Sequence, residues 1–146
     1  MNTNCDIAVA KFQEGYNCAQ AVLFSCSDDL HIEKNVALKL ACGFGAGMAR
    51  KEEVCGAVTG GIIAIGCKYG RGENDDPTAT ELTYVKTREL MDEFTKRHGT
   101  FCCRKLLGGC DLTTEEGKNH FKQNNLRSTT CEPCVQSVVK ILENIL

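Results

Sequence analysis

Cys131-Glu-Pro-Cys134 sets two thiols three residues apart at the head of an amphipathic run, in a chain with 11 cysteines among 146 residues. A dithiol at a helix start has specific chemistry, because unpaired N–H groups and the positive end of the helix dipole favour a thiolate. Proline at the third position suits a first helical turn, where its missing N–H is not needed. Cys131, nearer the free N–H groups, is the natural nucleophile, and Cys134 the thiol that resolves a mixed disulfide. The plainer alternative is a pair of buried cysteines serving as small hydrophobes.

Other thiols have comparable settings. Cys55 opens a glycine-rich helical run and follows Arg50 and Lys51, which lower a thiol pKa, while Glu52 and Glu53 oppose them. Its alternative role is tight packing, since Gly56 and Gly60 are four residues apart on one helix face. Cys102-Cys103-Arg104-Lys105 puts two thiols beside two cations, and adjacent cysteines rarely bridge each other, so one of the two at most faces a shared site. Gly43-x-Gly45-x-Gly47 lacks both the preceding strand and the spacing of a dinucleotide-binding loop and reads as a plain loop. His31, His98 and His120 have no fixed spacing to the cysteines and read as solvated. Thioredoxins use a dithiol of the Cys131/Cys134 kind within a βαβ context, which this chain lacks.

The length fits one domain over 1–146 and allows a core large enough to fold without disulfide staples. No basic segment followed by an apolar stretch stands at the N-terminus, so the expected location is the cytoplasm. There thiols stay reduced, and abundant cysteine points to redox chemistry, catalysis or metal binding rather than structural bridges. Net charge is −2 with dispersed basic residues, which argues against a nucleic-acid partner. The apolar run from Val54 to Cys67 falls short of the about 20 residues that cross a membrane and reads as a buried soluble helix.

The elements that must position these thiols are all helical in pattern. A first helix spans 3–14 and stops at Gly15; Asn17 and Gln20 then form a capping-box signature that makes Cys18 a first-turn residue. A third helix, 33–42, carries Val36, Ala37, Leu40 and Ala41 on one face, and the glycines at 43–47 break it. The fourth begins near Glu52 and Glu53, whose charges suit a helix start, runs to Gly70 and reads as the central helix. After a polar loop at 70–77, the helix 78–98 pairs Tyr84 with Met91 and Thr87 with Phe94. Short helices follow at 102–107 and from Thr113 to about Asn124, and the last, 132–146, has Val135, Val138, Val139, Leu142 and Leu146 in a stripe. No period-2 strand is found. The expected architecture is all-α: a single-domain multi-helix bundle around a buried, glycine-rich central helix.

Five segments, in order, carry a family resemblance: Tyr16-Asn-Cys18-Ala-Gln-Ala-Val, Gly43-Phe-Gly-Ala-Gly-Met-Ala-Arg50, Val54-Cys-Gly-Ala-Val-Thr-Gly60, Cys103-Arg-Lys-Leu-Leu-Gly108 and Cys131-x-x-x-Val135. From about residue 12 onward the chain resembles the C_GCAxxG_C_C family. The resemblance implies redox activity centred on Cys18, Cys55, Cys103 and Cys131. Selenocysteine in some members fits thiol redox chemistry, and a related domain beside a haem-binding unit, associated with non-haem iron, keeps a metal reading open. Cys134 lies outside the family pattern, as do Cys5, Cys26, Cys42, Cys67, Cys102 and Cys110.

Two functions follow as expectations. In the first, Cys18, Cys55, Cys103 and Cys131 converge from helix starts; Cys131 attacks a disulfide, and Cys134 or a convergent family cysteine resolves it, as in a thiol–disulfide oxidoreductase that needs no cofactor. In the second, Cys18, Cys55, Cys103 and Cys131 ligate an iron–sulfur cluster or, less favoured by their wide spacing, zinc. The expected partner is a redox protein, with no nucleic acid and no membrane. Close-packing glycines on the central helix would also suit a homodimer.

Overall fold

The computed structural model describes residues 2–146. Its elements are α1 (Asn4–Gln13), α2 (Cys18–Cys26), α3 (Lys34–Ala41), a 3-10 turn (Cys42–Phe44), a single turn α4 (Gly45–Met48), α5 (Gly56–Tyr69), α6 (Thr78–His98), α7 (Cys103–Leu106), α8 (Glu115–Gln123), a π turn (Arg127–Cys131) and α9 (Glu132–Ile145). The fold is all-α. Among the described residues, extended pairing is limited to one antiparallel bridge, Val54 with Cys102.

Local chemistry sets most boundaries. Thr3 and Asp6 close a capping box on α1, Asn17 and Gln20 close another on α2, and the Thr114 hydroxyl accepts from the Gly117 N–H at the start of α8. Gly99 ends α6 with φ +85°, a conformation that glycine adopts without penalty.

α5 is the centre of the bundle, with α2, α6 and α9 packed around it. Its face from Gly56 to Gly61, with Ala64 and Ile65, is buried. A Cβ on Gly60 would lie 2.7 Å from the Ala19 carbonyl oxygen, so the absence of a side chain lets the α2 and α5 backbones touch. Gly61 likewise leaves room for Leu90 of α6 and Val138 of α9. From α9, Val135, Val138, Val139, Ile141, Leu142 and Ile145 complete the core.

Three expectations about packing are corrected. Val36 and Leu40 of α3 are exposed while Ala37 and Ala41 are buried, so the inward stripe of α3 is built from small residues. On α6 the buried positions are Leu90 and Phe94, with Met91 partly buried; Tyr84 is exposed, because α6 lies on the core by its C-terminal half. α5 starts at Gly56 and not at Glu52.

The reason for the late start is backbone handedness. Ala46, Gly47, Met48, Ala49 and Arg50 all have φ between +53° and +67°, a left-handed helical turn, and Glu52 has φ +58°. Each non-glycine residue there is strained by about 1–2 kcal/mol relative to the right-handed form. Bonds from Ala49 N to Gly45 O (2.9 Å) and Glu53 N to Gly47 O (3.0 Å) hold the turn, and a side chain at 47 would strike the Glu52 backbone at 2.5 Å.

Two substitutions on one helix should therefore act oppositely. Gly60→Ala is expected to destabilise by about 1–3 kcal/mol through overpacking on Ala19. Gly66→Ala, with nothing within 4 Å of the new Cβ, should stabilise by about 0.5–1 kcal/mol through helix propensity. Urea unfolding of both variants checks the pair; equal effects would contradict the Gly60 contact.

Candidate functional site

Cys18 is the first residue of α2. Asn17 before it accepts from the Gln20 N–H (2.9 Å) and donates to the Cys42 carbonyl (2.9 Å), so the capping group also ties α2 to the end of α3. Cys55 precedes the first residue of α5, where its N–H donates to the Phe101 carbonyl at 2.7 Å. Gly56 lets the two meet: a Cβ there would stand 3.3 Å from the Cys18 Cβ.

The segment before α5 runs antiparallel to 101–104. Besides the Cys55 bond, Cys103 N donates to Glu53 O (2.6 Å) and Arg104 N to Glu52 O (3.1 Å), which fixes Cys103 beside Cys55. The Glu52 side chain is fully buried rather than set at a helix start: Oε1 accepts from Leu112 N at 2.7 Å and lies 3.6 Å from the Arg104 guanidinium, while Oε2 has no hydrogen-bond partner.

Cys131 and Cys134 come from the other side. The π turn runs without a break into α9, and the Glu132 N–H bonds back to Arg127 O. Cys131 therefore does not sit at a free helix start, which corrects the expected source of its acidity. The neighbouring Cys18 thiol is the main cause of its lowered pKa, and Arg127, four residues earlier, adds a smaller contribution; Arg127 also donates to the carbonyls of Phe12 and Tyr16 (2.5 and 2.9 Å) and stacks 3.8 Å over the Phe12 ring.

All five predicted thiols, Cys18, Cys55, Cys103, Cys131 and Cys134, line one cavity of about 90 Å³. Its other walls include Phe12, Leu107, Leu112, Phe121 and Arg127. Cys131 is partly exposed, and the other four are buried.

Within the cavity the thiols interact in two pairs. Cys18 stands against Cys131, and the contact lowers the Cys131 pKa and raises that of Cys18; burial raises Cys18 further. Cys134 stands against Cys55, and the contact lowers the Cys55 pKa and raises that of Cys134, where burial adds to the rise. No side-chain cap of hydrogen-bonding length closes α5; the N–H groups of Ala57 and Val58 face the Cys55 sulfur instead and favour its thiolate. Cys103 is driven well up, chiefly by burial and then by Cys55, Cys131 and Glu52.

The Cys131/Cys134 dithiol is thus divided: each member's direct thiol partner lies on another helix. Of the adjacent pair, Cys103 lines the cavity, whereas the Cys102 sulfur turns to the Glu52 carbonyl at 3.6 Å. His98 is part-buried, bonded to the Ser137 hydroxyl at 2.8 Å and stacked on Phe94, so it is not simply solvated. Arg127 and Glu52 are the site residues that sequence reasoning missed. The helical four-residue spacing from Arg127 to Cys131 was a signal available for the first; nothing marked Glu52 as buried.

Cys18, Cys55, Cys103 and Cys131 supply the donor type that zinc or an iron–sulfur cluster would require. No three His, Cys, Asp or Glu side chains among the described residues converge as ligands of one ion. As arranged, the thiols do not fit a four-sulfur centre.

Residues 16–145 match the family described as "Putative redox-active protein (C_GCAxxG_C_C)". No curated protein and no solved structure matches the chain. Among the described residues, no helix is long and apolar enough to cross a membrane.

Cys131 should ionise more readily than a free cysteine thiol. Because the Cys18 thiol and Arg127 stabilise its charged form, Cys18→Ala and Arg127→Gln should each move the midpoint upward. Alkylation rates at Cys131 against pH, read by peptide mass, measure this; a wild-type midpoint at or above the free value would refute it. Protein purified without oxygen should be colourless, with iron and zinc far below one per chain. Stoichiometric iron with charge-transfer absorption would overturn the paired-thiol arrangement.

Proposed function

The chain belongs to this redox-active family, and on that premise we propose that it is a thiol–disulfide redox protein in which Cys131 is the nucleophile and Cys18 the resolving thiol. What supports the reading is the cavity itself: Cys18 stands with Cys131 and Cys134 with Cys55 inside one space, Cys131 is the accessible thiol of the five, and the contact with Cys18 lowers its pKa. Such a pair holds one sulfur as the better nucleophile and keeps the second protonated until it is needed.

Cys131 is suited to attack because it is partly exposed and next to Arg127, an electropositive and reachable setting. Its thiolate attacks a substrate disulfide and forms a mixed disulfide. Cys18 then displaces the substrate sulfur and closes a Cys18–Cys131 bridge. Cys134 is taken up with Cys55, so the adjacent-in-sequence thiol is not the resolver; Cys55 and Cys134 form a second dithiol behind the first. Cys103 stays protonated on the shared wall.

Limited oxidation with diamide followed by disulfide mapping tests the pairing. The expected products are Cys18–Cys131 and Cys55–Cys134; a dominant Cys131–Cys134 bridge would overturn it. Cys131→Ser should slow reaction with a disulfide probe at the cavity by at least about tenfold, and unchanged reactivity would sink the nucleophile assignment.

A further inference from the structure

Next to the thiol cavity lies an open groove of about 560 Å³. Asn17, Ala46, Leu112, Phe121 and Arg127 line both spaces, so the two adjoin along a shared boundary. Four cations border the groove: Arg50 from the left-handed turn, Lys118 and Lys122 one turn apart on α8, and Arg127 from the π turn. No aspartate or glutamate lines it, and among the described residues none of the four is in a salt bridge. In a chain of net charge −2, four unpaired cations around one groove form a local positive field that draws anions.

We propose that this groove is the substrate-docking half of the thiol site and takes a low-molecular-weight disulfide bearing carboxylates. The inference rests on the reading of Cys131 as nucleophile. The groove's size is that of small-molecule sites, about 300–1,000 Å³. The thiols sit beyond it in a narrow space with Leu112, Phe121 and Ala46 at the junction, which suits the uncharged sulfur end of a ligand whose anionic groups stay with Arg50, Lys118 and Lys122. A disulfide held within a folded protein surface would not reach past the rim to sulfurs that are mostly buried.

The step balances within the pair. Cys131 first loses its proton to solvent, and its thiolate attacks one ligand sulfur; the ligand S–S bond breaks, and the first leaving thiolate takes a proton back from solvent. Cys18 gives up its proton and attacks the Cys131 sulfur, which releases the second ligand thiol. One ligand disulfide becomes two thiols, and two electrons and two protons leave the Cys18/Cys131 dithiol as it closes to a disulfide.

The test compares two probes, the dianionic dithiobis(nitrobenzoate) and the neutral dithiodipyridine, on the reduced full chain. Exposed Cys42 also borders the groove, so the reaction is followed as loss of free thiol at Cys131. The ratio of the dianionic to the neutral rate constant should fall about tenfold in R50Q/K118Q/K122Q and should fall with added salt. All three side chains are exposed, and the single change Lys122→Glu, a smaller perturbation, should lower the ratio in the same direction. A ratio that does not move in either variant overturns the groove assignment and leaves the thiol reading standing. Rates at the cavity unaffected by Cys131→Ser overturn the nucleophile reading instead. An acidic peptide disulfide that reacts faster than the dianionic probe overturns the small-molecule assignment.

Discussion

The contact on which the site depends is the close approach of α2 and α5, made where Gly56 and Gly60 present bare backbone to Cys18 and Ala19. Side chains at either glycine would push the helices apart and separate the thiols at their starts. With the two starts side by side, α9 needs only one helical turn to serve both. Residues three apart on a helix lie on one face, so Cys131 reaches Cys18 while Cys134 reaches Cys55.

A second constraint holds the front of α5 in place. The turn from Ala46 to Arg50 is wound against its preferred hand, and such a conformation persists only where surrounding contacts over-determine it. Glu52 supplies part of that determination: its buried carboxylate takes the Leu112 N–H, and its carbonyl takes the Arg104 N–H. The ion pair with Arg104 is a lesser contribution, since that guanidinium is 46% exposed and solvent screens it. The same strained turn presents Arg50 to the cationic groove.

The two dithiols are tuned by different physics. Cys55 is favoured as thiolate by a neighbouring thiol and by backbone N–H groups at the head of α5, and burial opposes them. Cys131 gains from a neighbouring thiol and from the Arg127 charge, and it is the more accessible of the two. Cys131 therefore has a lowered pKa although the free N–H groups expected around it are absent, chiefly through Cys18 and to a smaller degree through Arg127. In both pairs the member with the raised pKa is buried, which favours its protonated form.

Much of this molecule was legible in the chain. The capping residues Thr3, Asn17 and Thr114, the terminator Gly99 and the apolar stripe of α9 are local signals, and they fixed most helix boundaries because each acts within one turn of backbone. The family resemblance named Cys18, Cys55, Cys103 and Cys131, and the Cys131-x-x-Cys134 motif added Cys134; these five line one cavity. What the chain could not reveal was set by distant contacts. Glu52 looks like a helix-start acid until Leu112, sixty residues on, offers it an N–H. The left-handed turn is invisible in Ala46, Met48, Ala49 and Arg50, none of which favours that hand. Which thiol faces which is decided by the crossing of α2, α5 and α9, since a pairing is a property of the space between helices and residue order carries no record of it.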